Sequence, residues 1–221
     1  MAVHGRDREA LGTIARSLRA EGIRVVEAPG DVTRAQDLER MRQVVEGELG
    51  VPDILVANAG ANLTRPGVPL EDIDESAWRA SLDANLTATF LTLKTFLPGM
   101  KRKGSGSIVT LSSGAARRPT VRSPVAYGAA KAGIELLTRQ LALELGPSGI
   151  RINCIAPETI LTERNLERIP PEVREQLARE HPLRRLGTPE DVANAALYLV
   201  SDASGWMSGV VLEVAGGSVL V

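Results

Sequence analysis

The sequence predicts a doubly wound parallel α/β sheet in three layers, helix on sheet on helix. Two observations carry that prediction. Short β-rich apolar runs alternate with amphipathic helical patterns along the chain, and such alternation implies parallel strands joined by crossovers. Most of the runs show little polar alternation, as strands covered on both faces should. Right-handed crossovers then place helices on both faces.

Ala2-Val3-His4 reads as a strand that passes through Gly5-Arg6-Asp7 into a helix. Leu11, Ile14, Ala15 and Leu18 recur there at helical spacing. The run 23–26 (Ile-Arg-Val-Val) reads as the next strand, and Thr33 with Gln36 forms a capping-box pattern ahead of Leu38, Met41 and Val45. Further strands are expected at 54–57, 108–111, 150–155 and 210–214. Helices are expected over 76–100, over 125–145 and from Pro189 through Tyr198. The stretch 158–189 contains Pro170-Pro171 and helical stretches of its own. In a doubly wound fold it sits near the strand C-termini, where ligands bind; it reads either as a substrate lid or as a structural excursion. With no internal repeat or linker, residues 1–221 are expected to form a single domain of ordinary size.

The beginning departs from the pattern of a nucleotide-binding sheet. Such a sheet places a Gly-rich turn between its first strand and a helix whose N-terminus takes a pyrophosphate. Here Gly104-Ser105-Gly106 precedes a strand, and Gly216-Gly217 lies at the far C-terminal end. The sequence reads as starting at the second strand of its sheet, with roughly 30 residues, one strand–turn–helix unit, not present.

Composition narrows the function classes. The formal net charge is −1 and the basic residues are spread along the chain, which weighs against a nucleic-acid or anionic-membrane surface. Apolar runs fall short of the roughly 18 residues of a spanning helix, and no leader pattern opens the chain, so a cytoplasmic location is the default expectation. Cys154 is the single cysteine. It permits no intramolecular disulfide and no cysteine metal cluster, and reads as a buried strand thiol. His4 and His181 stand alone and read as surface or loop residues; no metal site is expected.

Tyr127 and Lys131 lie four residues apart at the start of a helical pattern, which puts both on one face, one turn apart. A free phenol titrates near 10, too high for ready proton exchange at neutrality. A neighbouring ammonium favours the phenolate and makes a better general acid/base. Ser113 follows the strand at 108–111 and lies 14 residues before Tyr127, so both belong at the ligand edge of a parallel sheet. A hydroxyl there can hydrogen-bond a carbonyl oxygen; the adjacent Ser112 competes for that role. Asn58-Ala59-Gly60 ends another strand in the same way, and its glycine allows close approach of backbone to ligand.

Ser113, Tyr127-Gly128-Ala129-Ala130-Lys131 and Asn58-Ala59-Gly60, in this order, resemble the short-chain dehydrogenase/reductase family over nearly the whole chain. The pattern is most similar to the 3-oxoacyl-carrier-protein reductase-like members. The resemblance implies a Rossmann-like fold lacking its first strand and helix. It implies a nicotinamide-dependent oxidoreductase acting on a small carbonyl or secondary alcohol, as a homodimer or homotetramer. It assigns Tyr127 as general acid/base, Lys131 to lower the Tyr127 pKa and hold the nicotinamide ribose, and Ser113 to orient the carbonyl. Asn85 would hold a water linking Lys131 to solvent. Asp31-Val32 is similar to the pair that borders the adenine, and Pro157, Ile160 and Thr162 to the segment on the nicotinamide side. Glu158 departs from the glycine usual after Pro157. An acidic residue ending the second strand would bind a ribose 2′-hydroxyl; Arg6 stands near there instead and suits a 2′-phosphate, favouring NADP over NAD. Asp7 beside it either neutralises Arg6 or caps the helix. The alternative function is a truncated, inactive family member acting as a binding or interaction protein.

Overall fold

A computed structural model describes residues 1–121 and 123–219. In chain order the elements are β1 (Ala2–Gly5), α1 (Arg8–Ala20), β2 (Val26–Pro29), α2 (Ala35–Leu49), β3 (Ile54–Ala57), α3 (Glu75–Leu82), α4 (Ala88–Lys103), β4 (Gly106–Leu111), α5 (Val125–Leu145), β5 (Ile150–Pro157), α6 (Glu163–Arg168), α7 (Pro171–Glu180), α8 (Pro189–Val200) and β6 (Val211–Val214). Every strand pair is parallel. The predicted α/β class therefore holds, and the strands form two sheets, β1-β2 and β3-β4-β5-β6.

Side chains of β4 alternate between two helical layers, as strand geometry requires. Ile108 packs with Leu93 and Met100 of α4 and Leu145 of α5. Its neighbour Val109 packs on the opposite face with Leu199 of α8. A third cluster joins Ala28 of β2 to Leu38, Met41 and Val45 of α2 and to Phe96 of α4, with Leu55 of β3 packed against it. That cluster ties the small sheet to the large one, because no ladder hydrogen bonds run between them. The consequence falls on β3. Its Ile-Leu-Val-Ala sequence suits burial on both faces, yet Ile54 and Val56 remain 48% and 46% exposed while Val109 is fully buried. Among the described residues no strand pairs with the free edge of β3.

Several boundaries differ from the sequence-based expectations. The second strand is Val26–Pro29 rather than 23–26. Gly22 takes φ +82° after α1, and Ile23 is still bonded to the helix through the Leu18 carbonyl, so the chain becomes extended three residues later. The capping box at Thr33 does not form. Thr33 donates both its N–H and its hydroxyl to Asp31, the cap of α2 is Arg34, and Asp37 reaches back to the Asp31 N–H. The helix expected over 76–100 begins at Glu75 and is interrupted by one π-helical turn, Asp83–Thr87, between α3 and α4. His181 is not a surface residue: it caps the C-terminus of α7 and is only 4% exposed. Cys154 lies fully buried in β5.

The open face of β3 makes a testable contrast. Val56→Thr should change stability by less than about 0.5 kcal/mol, as at an exposed site, whereas Val109→Thr should cost roughly 1–3 kcal/mol for a buried hydroxyl. Urea unfolding of both variants measures this; an equal loss would mean that something covers β3 in solution.

Candidate active site

The end of β4 and the start of α5 are bonded to each other in both directions. Lys131 Nζ donates to the Leu111 carbonyl at 2.8 Å. Ser112 Oγ shares its one hydrogen between the Lys131 carbonyl at 3.1 Å and Glu135 Oε1 at 2.9 Å. Ser112 thus points inward and is buried. Strand alternation then turns Ser113 the other way, where its hydroxyl is near enough to the Tyr127 phenol to draw its pKa down and accepts from the Ala115 N–H at 3.2 Å. Between the two serines the structure selects Ser113 as the one facing Tyr127. Helix α5 starts directly after Pro124, a residue that cannot donate an N–H and suits such a boundary. Lys131 Nζ lies 5.6 Å from the centre of the Tyr127 ring, so the one-turn spacing does bring the pair together.

Burial dominates the electrostatics. It pushes the Lys131 ammonium down to about 8. It pushes the Tyr127 phenol up, against the hydrogen bond from Ser113, and the Glu158 carboxylate raises it further. The expected lowering of the Tyr127 pKa by Lys131 does not occur: Lys131 is not among the groups that shift Tyr127, and the phenol is held above its ordinary value. Glu158, at the end of β5, lies against Gly114 and pairs with Arg118 at 3.4 Å. A Cβ on Gly114 would sit 3.3 Å from Glu158 Cγ.

Asn85 sits in the π turn and is fully buried. A π turn shifts the helix phase by one residue and is frequent at functional sites. The Asn85 amide donates to the Ala61 and Ser81 carbonyls, both at 2.8 Å, and its oxygen accepts from the Ala61 N–H at 3.2 Å. It thereby pins the loop after β3, which carries Asn58, Ala59 and Gly60. A Cβ on Gly60 would lie 2.7 Å from Asn85 Oδ1 and 3.3 Å from Lys131 Nζ, so glycine is required by the close approach. The Asn85 side-chain amide is thus bonded to backbone at both its nitrogen and its oxygen.

The expected cofactor residues divide into two groups. Pro157 ends β5 beside Val214. Ile160 bridges to Gly187, and Thr162 caps α6. These, with Asn58, Ala59 and Gly60, follow the strand ends that flank β4. Arg6, Asp31 and Val32 follow β1 and β2, and Arg6 lies 3.9 Å from Asp31 as a mostly exposed pair. Asp31 is held below the usual carboxylate range by its bonds from Thr33. Asp7 resolves the earlier alternative: it caps α1, accepting from the Glu9 and Ala10 N–H groups at 2.9 and 3.0 Å. Those amides are thus already satisfied by a carboxylate and not presented to a phosphate. The nicotinamide end of a dinucleotide fits the residues present, around Lys131, Gly60 and Tyr127; a pyrophosphate cradle is not formed by α1.

Sequence reasoning missed a buried ionic network behind the site. Glu135 is bonded by Arg117, Arg139 and Ser112, and Arg117 also holds Glu213 of β6 at 2.8 Å. The signal was present: Glu135 is four residues beyond Lys131, on the same helical face.

Comparison with known proteins agrees with this geometry. A family model described as enoyl-(acyl carrier protein) reductase matches residues 1–218. A cis-4-hydroxycyclohexanecarboxylate dehydrogenase of Sinomonas cyclohexanicum is 38% identical over 211 residues, 95% of this chain and 82% of that protein. The solved structure of a 7α-hydroxysteroid dehydrogenase with NADH and 7-oxo glycochenodeoxycholic acid superposes with TM-score 0.92 at 33% identity, covering 99% of this chain and 84% of that one. A gluconate 5-dehydrogenase of Burkholderia cenocepacia with NADP and tartrate gives 0.88 at 28%, covering 98% and 84%. The chain belongs to the short-chain dehydrogenase/reductase family of oxidoreductases.

The depressed Lys131 value has a measurable consequence. The folded amine gives up its proton near 8 and the unfolded one at the ordinary 10.5. Stability therefore rises with pH across that window and carries the full penalty below it. Lys131→Met should stabilise the fold at pH 7 by about 2 kcal/mol, a burial penalty of about 3 less one hydrogen bond of about 1. The gain should fade as pH approaches 10. Thermal melts of both proteins from pH 7 to 10 check the sign; destabilisation at pH 7 would contradict it.

Proposed function

We propose that the chain interconverts a secondary alcohol and its ketone, with Tyr127 as the acid/base and NADP as hydride carrier. The observation that carries this reading is Lys131, buried and bonded to the Leu111 carbonyl with its Nζ 5.6 Å from the centre of the Tyr127 ring, and Ser113 close to the same phenol. When bound, the dinucleotide supplies or takes up the hydride. In reduction, Tyr127 gives its proton to the carbonyl oxygen, and the raised phenol pKa keeps that proton in place beforehand. Ser113 donates to the same oxygen as charge develops there. Lys131 stabilises the phenolate left behind and offers its remaining N–H groups to the ribose. Asn85 acts as a positioning residue: it fixes the loop carrying Asn58, Ala59 and Gly60 against Lys131. In oxidation each proton step runs in reverse.

Arg6 supports NADP, because it is exposed beyond β1 and held only loosely by Asp31. Asp31 and Val32 would border the adenine, and Pro157, Ile160 and Thr162 the nicotinamide. The segment 158–189, folded as α6 and α7, serves as a lid over the small-molecule substrate within one domain spanning 1–221. A homodimer or homotetramer is part of the proposal, supported by exposed Phe90, Leu136 and Leu143 on α4 and α5. Gly128 and Gly133, by contrast, pack against Ala115 and Leu86 of their own chain. Among the described residues no helix is long and apolar enough to cross a membrane; a cytoplasmic location completes the proposal. A second reading, a binding protein without catalysis, is favoured by one observation, the Asp7-capped N-terminus of α1.

Two measurements separate these readings. Tyr127→Phe should reduce turnover by at least about a hundredfold, the usual yield of general acid catalysis, with NADPH affinity by nicotinamide fluorescence little changed. Normal turnover would reject Tyr127, and no NADPH binding by the unaltered chain would favour the binding-protein reading. Arg6→Ala should weaken NADPH about tenfold, the worth of one charge-assisted pair, and leave NADH unaffected. Equal effects on both would remove Arg6 from cofactor choice.

A further inference from the structure

Ser113 lies just past the point where the sheet stops holding the chain. The β4–β5 register ends at Leu111 and Ile155, and the Ser112 N–H gives one last bond to the Ile155 carbonyl at 2.7 Å. Residues 113–117 then form a short turn whose own bonds are internal. Ser113 Oγ accepts from the Ala115 N–H at 3.2 Å. The Ser113 and Gly114 carbonyls accept from the Ala116 and Arg117 N–H groups, both at 3.0 Å. Internal bonds give the turn its shape but not its place on the molecule.

One carboxylate ties both ends of that turn to α5. Glu135, only 6% exposed, accepts from Ser112 Oγ at 2.9 Å and, through both of its oxygens, from Arg117 Nε at 3.1 Å. The two ties bracket Ser113 in the chain. Arg117 is held again by Glu213 of β6 at 2.8 Å, and Arg139 reaches Glu135 Oε2 at 3.3 Å. Between the ties the turn rests on the first turn of α5, where a Cβ on Gly128 would sit 3.2 Å from the Ala115 carbonyl oxygen. Burying such an ionic cluster commonly adds little stability over apolar packing, because desolvation offsets the attraction. What it supplies is direction: charge-assisted bonds fix where the turn sits on the helix that carries Tyr127 and Lys131. Resting on the alcohol–ketone reading above, we propose that Glu135 is a positioning residue for that reaction, holding both ends of the turn so that the Ser113 hydroxyl and the Tyr127 phenol address one substrate oxygen. Glu135 acts through Ser113 and needs no contact with substrate or cofactor.

Glu135→Leu removes both ties and leaves no new buried group unpaired. Ser112 keeps the Lys131 carbonyl, Arg117 keeps Glu213, and the half-exposed Arg139 reaches water. The test compares it with Ser113→Ala and with the double variant. Tyr127 and Tyr198 are the two tyrosines of the chain, so a 3-fluorotyrosine label in a Tyr198→Phe background gives one ¹⁹F signal, and its titration follows the Tyr127 phenol alone. Ser113 draws that phenol down, while Lys131 and Glu158, the charged groups beside it, are the same in every variant. Glu135→Leu and Ser113→Ala should each move the titration to higher pH, and the double variant should move it no further than Ser113→Ala alone. In the reduction of cyclohexanone by NADPH, Glu135→Leu should lower kcat about tenfold to a hundredfold, the usual cost of a misplaced group, with KM for NADPH within about twofold. In the Ser113→Ala background the same change should cost less than about twofold. If Glu135→Leu fails to fold, Arg117→Met deletes the far tie and carries the same expectations. A merely structural role would lower kcat equally with and without Ser113; that result, or an unmoved titration, overturns the proposal. The titration needs no substrate. A Ser113-dependent shift in a chain that reduces no ketone would therefore keep Glu135 in its role and reject the alcohol–ketone reading, and ketone turnover indifferent to Glu135 would do the reverse.

Discussion

Lys131 is anchored to β4 through the Leu111 carbonyl, and β4 is anchored back through Ser112 to the Lys131 backbone. The site depends on this two-way clamp. It fixes the rotation of α5 about its axis and its height along the strand, and the Ser113–Tyr127 contact follows from both. Hydrophobic packing alone would not set them, since it is non-directional. The seam carries one more polar contact among its apolar ones: Thr110 and Thr138 share a buried hydrogen bond of 2.7 Å. A buried polar seam that is fully paired specifies one arrangement, because any slip would leave several groups unsatisfied at once. The cost is an ammonium kept where its charge is disfavoured. That conflict is expected where a residue is held for its chemistry rather than for the fold.

Legibility differed between fold and site. The α/β class and the long helix α5 were readable because apolar periodicity and its Pro-bounded start agree with the tertiary structure. Val26-Glu27-Ala28-Pro29 was not readable as a strand, because its β character comes from pairing with β1 and not from composition. The π turn at Asn85 was likewise hidden: no local sequence signal marks it, and the three bonds that Asn85 makes within it to Ala61 and Ser81 are tertiary or backbone contacts. Tyr127, Lys131 and Ser113 were found by spacing. The choice between Ser112 and Ser113 needed the strand's phase. Thr33 shows the opposite failure, in which a local capping pattern lost to a stronger partner, Asp31. His181 could not be placed by sequence, since a lone histidine carries no burial signal.

Glu158 changes the electrostatic reading of the acid/base. Spacing alone assigns the neighbouring ammonium the leading effect on the phenol. In the folded chain, burial and the Glu158 charge both favour the protonated form, and the ammonium is itself weakened by burial. The proton is therefore held on Tyr127, the state in which the proposed reduction would start. Arg118 opposes this by drawing on Glu158, so a substrate that disturbs the Arg118–Glu158 pair also alters the phenol. The Arg118–Glu158 pair and the proton affinity of Tyr127 are thus linked through one carboxylate.

The two halves of the site are supported unequally. Lys131 is tied to β4 and Asn85 to the loop that follows β3 by hydrogen bonds, with Gly60 close to both side chains. Arg6, Asp31 and Val32 follow the strands of the smaller sheet, which among the described residues shares no ladder with the larger one and packs on it through the apolar cluster of β2, α2 and α4. Apolar contact holds two bodies together without fixing their separation to within a few tenths of an ångström, as a ladder of hydrogen bonds does. The substrate half can therefore keep its geometry whatever the smaller sheet does. The distance between the proposed adenine and nicotinamide ends is the softer coordinate. Any group that binds across both halves must order that coordinate as it binds, and its affinity carries that entropic cost.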